Sequence, residues 1–138
     1  MIPYRIIKIE TKQFAIFPEK YINGNDVDIQ TSHNFDIRSD MTNIRSTSAI
    51  HFLQRGQLIM ILELTCYFDI ASEGVDFIKE QKKVPLEFLR YMATITVGTA
   101  RGIIHAKTEG TVLCSIILPP INLVEAIKSD MDLQEISN

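Results

Sequence analysis

The clearest pattern in the chain lies between Leu58 and Ile70, where apolar and polar positions alternate. Leu58, Met60, Leu62, Leu64, Cys66, Phe68 and Ile70 share one parity, and Glu63, Thr65, Tyr67 and Asp69 share the other. Alternation of this kind marks a strand of an antiparallel sheet with one face in the core. A second strand is expected from Ile6 to Phe17, rich in β-branched and aromatic residues and stopped by Pro18. Tyr21 to Asp26, with Asn23-Gly24-Asn25 at its centre, reads as a turn and loop. Between His33 and Leu53 the alternation changes phase. Phe35, Ile37 and Met41 fall on one parity, and Ile44, Ile50 and Phe52 on the other. A one-residue slip moves every side chain to the opposite face, so this predicts either a β-bulge or two strands meeting at Thr42-Asn43. Gln54-Arg55-Gly56-Gln57 is the hairpin turn that leads into the strand from Leu58.

After Ile70 the period changes. Ala71 to Lys83 is polar apart from Phe77 and Ile78 and is expected to be a crossover. From Pro85, a residue suited to a first helical turn, Phe88, Met92, Ile95, Thr99, Gly102, Ile103 and Ala106 recur at helical spacing towards Gly110. The run Thr94 to Thr99 has poor helix propensity, so packing must support it. Thr111 to Leu118 is expected to be extended and is closed by Pro119-Pro120. A helix should restart at Asn122, an N-cap residue with Glu125 three positions later, carrying Val124, Ile127 and Met131 as its apolar stripe. The acidic end, from Asp130 and above all 132–138, is expected to fray. Strands first and helices last, without βαβ alternation or an internal repeat, is the α+β order.

The length of 138 residues suits one domain, 1–138, and the composition, 46% apolar and 22% charged, is that of a globular chain. A net charge of −3 argues against a nucleic-acid binder, because the basic residues are scattered and the tightest group, Lys79, Lys82 and Lys83, is interrupted by Glu80. The first residues lack the pattern of a secretory signal, and no apolar run approaches the ~20 residues that span a bilayer. A cytoplasmic protein without membrane insertion is the expectation. Cys66 and Cys114 have no metal-site spacing and read as free thiols.

Chemistry-bearing motifs are missing. There is no phosphate-binding glycine loop, so no nucleotide cofactor is expected and any chaperone activity would be independent of ATP. His33, His51 and His105 lie beside no nucleophile motif and read as structural or surface residues. Asp69, Glu73 and Asp76 lack a calcium-loop pattern and read as solvated carboxylates. Gly98 and Gly102 allow a close helix approach, with Arg90 and Arg101 on the same helix arguing against a membrane setting.

Several segments in this order resemble the SecB family of export chaperones. They are Leu62-Glu63 through Phe68-Asp69-Ile70-Ala71, the helix opening at Pro85, and Leu118-Pro119-Pro120-Ile121-Asn122-Leu123. Thr99-x-Arg101-Gly102 with Gly110-Thr111 is similar to SecB-like proteins attached to toxin–antitoxin systems. The resemblance spans Tyr4 to Met131. It implies a four-stranded antiparallel sheet with a long helix and a shorter C-terminal helix on one face, a homo-oligomer (dimer or tetramer), no cofactor, and no catalysis. The implied function is that of a holdase for unfolded polypeptides, held in apolar grooves by many weak contacts.

Candidate client-binding residues are Phe35, Ile37, Met41, Phe77, Ile78, Leu123, Ile127 and Met131; each alone reads equally as core. Phe77 and Ile78 stand out because their neighbours are polar. In the export family an acidic sheet surface docks the SecA motor. Glu63 keeps one of those carboxylates, whereas Gln13 and Phe17 stand where acids are expected, so SecA docking should be weakened. The alternative readings are a dedicated chaperone for an antitoxin, a structural subunit of a mobile element, and a hotdog-type thioesterase, for which Glu87 is the carboxylate nearest a helix start.

Overall fold

The structure, a computed structural model, describes residues 2–133. Four strands, β1 (Tyr4–Ile16), β2 (Asp28–Ile37), β3 (Asn43–Gln54) and β4 (Gln57–Ile70), form one antiparallel sheet in the order β1-β4-β3-β2. The phase change between Met41 and Ile44 is thus a turn between two strands, with Ile37 opposite Ile44. Met41 lies in that turn with φ 63°, not on a strand. The β3–β4 hairpin closes through Arg55 and Gly56, at φ 50° and 76°, the pair of left-handed residues that a two-residue turn between twisted strands requires. β1 is less regular than its sequence suggests: Ile7 and Lys12 are extra residues at two register shifts against β4.

The segment after Ile70 corrects the expectation of a polar crossover. It is a helix, α1 (Ser72–Gln81), which buries Gly74, Val75 and Ile78 and ends at Lys82 in the left-handed conformation. Residues three and four apart share a helical face, so Val75 and Ile78 point inward while Phe77 points out. Lys83–Val84 is a short strand, β5, and Pro85 caps the long helix α2 (Leu86–Thr108).

α2 lies across the inner face of β3 and β4. Its buried residues are Phe88, Leu89, Met92, Ala93, Thr96, Val97, Ala100, Ile104 and Thr108. The predicted stripe shares only Phe88 and Met92 with this set. The helix carries apolar residues on two faces, and sequence spacing picked out the other one, on which Gly98, Gly102 and Ala106 are exposed. The weak helix formers are accommodated because the hydroxyls of Thr94, Thr96, Thr99 and Thr108 donate to the carbonyls four residues back at 2.7–2.9 Å. Thr96 also meets Ser46 Oγ of β3 at 3.0 Å in the buried layer between helix and sheet.

The C-terminal third is a strap rather than a strand and a helix. Val112–Ser115 is a turn of 3-10 helix. Residues 116–122 are extended without pairing, α3 (Leu123–Ala126) is a single turn, and β6 (Met131–Asp132) pairs with β5. Asn122 caps α3 as expected, accepting from the Glu125 amide at 3.3 Å. Ile127 and Met131 therefore lie beyond the helix that was to carry them. Asp130 is also not frayed: its carboxylate accepts from Leu86 N at 2.6 Å and pairs with Lys83 at 3.1 Å. Within the expected frayed tail, 134–138 lie outside the described residues.

Two arginines of α2 fasten the strap. Arg101 donates to the Leu118 carbonyl at 2.7 Å and the Pro119 carbonyl at 3.1 Å. Arg90 donates to Ile127 O at 2.7 and 3.0 Å and to Val124 O at 2.9 Å. Guanidinium groups suit this task because their fixed fork of donors satisfies carbonyls that have no ladder partner.

Candidate polypeptide-binding surface

Two hollows adjoin the helices. The first, about 550 Å³, is bounded by Ile2 and Pro3, by Glu73, Gly74 and Phe77 of α1, and by Pro85, Glu87, Phe88 and Tyr91 at the start of α2. Phe77 is 42% and Tyr91 48% exposed, so two aromatic rings stand at the mouth of an apolar recess. Its floor depends on the chain's beginning. Pro3 O accepts from Ala71 N at 3.0 Å, and Ile2 packs so closely on Gly74 that a Cβ there would sit 2.4 Å from Ile2 Cγ2 and 2.9 Å from Ile70 Cγ2. Both obstructing methyls branch at Cβ and cannot swing aside. Gly74→Ala should therefore destabilise by about 1–2 kcal/mol, overpacking outweighing the gain in helix propensity. Denaturant titration checks this, and fluorescence of a dye binding the displaced recess should rise with it.

The second hollow, about 280 Å³, lies between the free edge strand β2 and the strap. It is lined by His33, Asn34 and Phe35, by Leu89 of α2, and by residues 126–131. Beside it β2 pairs only with β3, leaving one row of its backbone groups without a ladder partner among the described strands. An edge of this kind accepts an extended chain by main-chain pairing.

The candidate client-binding residues fall into three sets. Phe35, Ile127 and Met131 meet at the second hollow, and Phe77 stands at the first. Leu123 is half-buried in α3, and Met41 is half-buried in its turn. Ile78 has no exposed surface, and Ile37 and Ile127 are almost fully buried. Pairing Ile78 with Phe77 as surface residues is thus corrected by the helix, which sends the two in different directions. Tyr91 and His33 were missed. Tyr91 lies off the predicted stripe of α2, and His33 has no sequence context that marks it.

Glu63 lies on the sheet face away from α2, opposite Gln13 of β1. The nearest carboxylate cluster there is neutralised. Glu10 pairs with Lys12 and Lys8 and accepts from Tyr67 OH at 2.8 Å. The Lys12 ammonium and the Tyr67 hydroxyl hold its carboxyl at about 2. Phe17, just after β1, carries Lys20 over its ring. The face around Glu63 is therefore of mixed charge, not acidic.

Of the histidines, His33 bonds Ser48 Oγ through Nδ1 at 2.9 Å, and His105 is exposed beside Glu109. Among the described residues no group of three or more His, Cys, Asp or Glu side chains is placed to hold a metal ion, and no helix is long and apolar enough to cross a membrane. Cys66 is buried, and burial raises its thiol above the ordinary range, while Cys114 is exposed.

No family model matches the sequence, and no curated protein matches it. Among solved structures, the chain is similar to the Mycobacterium tuberculosis SecB-like chaperone Rv1957, in complex with a ChAD peptide from the Rv1956 HigA1 antitoxin. The TM-score is 0.46 and the identity 14%, over 86% of this chain and 91% of that one.

The segments that resemble SecB have visible structural work here. Arg101 pins the Leu118-Pro119-Pro120 segment, Gly110 takes φ 79° at the end of α2, Thr111 Oγ1 accepts from Leu113 N, and Asn122 caps α3. These residues are joints of the strap, and none of them lines either hollow.

Proposed function

We propose that this chain is an ATP-independent holdase chaperone of the cytoplasm that binds non-native polypeptide on apolar surfaces. The observation that carries this reading is the 550 Å³ recess with Phe77 and Tyr91 exposed at its mouth. A monomeric protein gains nothing by leaving two large rings half-solvated beside an empty apolar recess, unless something is to be placed there. The second hollow supports the reading. It adjoins an unpaired strand edge, so side-chain pockets and main-chain pairing lie together, which gives affinity without sequence specificity. Phe35, Phe77, Leu123, Ile127 and Met131 serve as client contacts in this reading.

The protein acts as a homo-oligomer. Ile6 and Ile9 project from β1 on the same side as α2 yet are 41% and 53% exposed, and Gly98 and Gly102 of α2 face open space. A second copy covering this surface would bury them; light scattering of the parent and of Ile9→Lys decides the matter. The mixed charge around Glu63 favours a delivery partner other than SecA, and a dedicated antitoxin client is the narrower form of the same function.

The test is aggregation of reduced, unfolded α-lactalbumin without ATP, with and without this protein. Suppression with several unrelated clients supports a general holdase; suppression confined to one genetic neighbour supports the dedicated form. Absence of any suppression rejects general holdase activity. Glu87 at the rim of the first hollow is what a thioesterase reading would use, and turnover of acyl-CoA by the parent but not by Glu87→Gln would replace the chaperone reading.

A further inference from the structure

His33 sits on the inner side of β2 beneath the strap, and its two ring nitrogens are treated differently. Nδ1 is paired with Ser48 Oγ, while Nε2 is buried and has no hydrogen-bond partner. The surroundings explain this. The hollow it lines is walled by Phe35 and Leu89 and closed by residues 126–131. The charged side chains among its lining are Lys128 and Asp130 of the strap. Asp130 is already engaged by Leu86 N and Lys83, and on the α2 side Arg90, next to Leu89, spends its donors on Val124 and Ile127 carbonyls. From β3 only the neutral Ser48 hydroxyl reaches the ring.

We propose that His33 is a pH-dependent latch: protonation of its ring releases residues 126–131 from β2 and opens the second hollow to extended polypeptide. The proton comes from solvent. In the imidazolium both nitrogens donate, Nδ1 to Ser48 and Nε2 to no acceptor, so the closed strap would bury a cation with an unmade hydrogen bond. Lifting the strap lets water reach Nε2 and uncovers Phe35, Leu89, Ile127 and Met131 together. Burial lowers the titration of this ring below its usual range. The sign follows: the closed form is favoured fully above the open-state value of about 6.5, and that preference is lost as pH falls through it towards the lowered closed-state value.

The latch rests on the polypeptide-binding reading only for its client, so the experiment reads the two separately. Hydrogen exchange of the Ala126 and Ile127 amides, which bond to Asn122 and Leu123 carbonyls, is measured at about pH 7.5 and about pH 5.5. Rates are corrected for the chemical exchange rate, in the parent, in His33→Leu and in His33→Gln. Binding of reduced, carboxymethylated α-lactalbumin is followed at the same two pH values. The expected result is a loss of protection of about tenfold at the lower pH in the parent and none in either folded variant, with tighter client binding in step. His51 and His105 titrate in all three proteins and cancel. Protection that is independent of pH, or that falls equally in the variants, overturns the latch even if the client binds. A strap that opens through His33 with no client bound at either pH keeps the latch and removes the polypeptide-binding reading.

Discussion

Ile78→Asp should unfold the protein, whereas Phe77→Asp, one position earlier, should leave its melting curve unchanged within about 0.5 kcal/mol and remove client holding. The two residues are adjacent in α1, yet Ile78 has no exposed surface and Phe77 is 42% exposed at the rim of the first hollow. An aspartate at 78 would place a carboxylate among Val75, Val84 and the rest of the core without a partner, a penalty of several kcal/mol, comparable to the whole stability of a domain this size. At 77 the carboxylate points into water and the fold loses little. What is lost is one aromatic wall of the recess, and a charge takes its place. Client affinity should fall at least about tenfold, as when a central apolar anchor is removed from an interface. Circular dichroism melts separate the two variants, and the aggregation assay with Phe77→Asp carries the functional result. Full suppression by a folded Phe77→Asp would show that the recess is not where clients bind.

Arg90→Met should free the strap without unfolding the sheet. The methionine keeps most of the apolar stem but removes every donor to Val124 and Ile127 carbonyls. Hydrogen bonds from a charged donor contribute about 1.5–3 kcal/mol, here discounted by half because the guanidinium is partly solvated. A local loss of about 1.5–2 kcal/mol corresponds to roughly 10- to 30-fold faster exchange at the Ala126 and Ile127 amides. Amides in β3 and β4 should keep their protection, since that core is sealed by Ile44, Ile50, Leu62, Leu64 and Phe68 independently of the strap. Equal acceleration in strap and sheet would mean that the strap is part of the cooperative core.

The strand meander was legible because each strand has one face in the core. Antiparallel pairing turns that into a period of two, which Leu58 to Ile70 displays almost without exception. The long helix was legible as an element but not as a face. Ile95, Gly102, Ile103 and Ala106 continue an apolar series as well as the buried Ala93, Val97, Ala100 and Ile104 do, and periodicity carries no information about which of two apolar faces meets the sheet. α1 escaped notice because ten residues with Val75 and Ile78 inward and charges elsewhere look the same as a polar loop. The strap escaped for a different reason: its backbone is satisfied by Arg90, Arg101 and the β5–β6 pairing, contacts far apart in sequence that leave no local period.

Of the candidate site, the sequence by itself determined which residues were apolar among polar neighbours, and so marked Phe77. It could not separate Phe77 from Ile78, because that division depends on a helical phase set by packing on Ile2 and Ile70. Nor could it bring Phe35 to Ile127 and Met131, about 90 positions later in the chain. Local propensity and periodicity follow from steric and hydration rules acting over a few residues, and those determined the sheet, the long helix and the Asn122 cap. Which surfaces stay open, and which ring nitrogen is sealed under the strap, was decided only when the tertiary fold closed distant segments over one another.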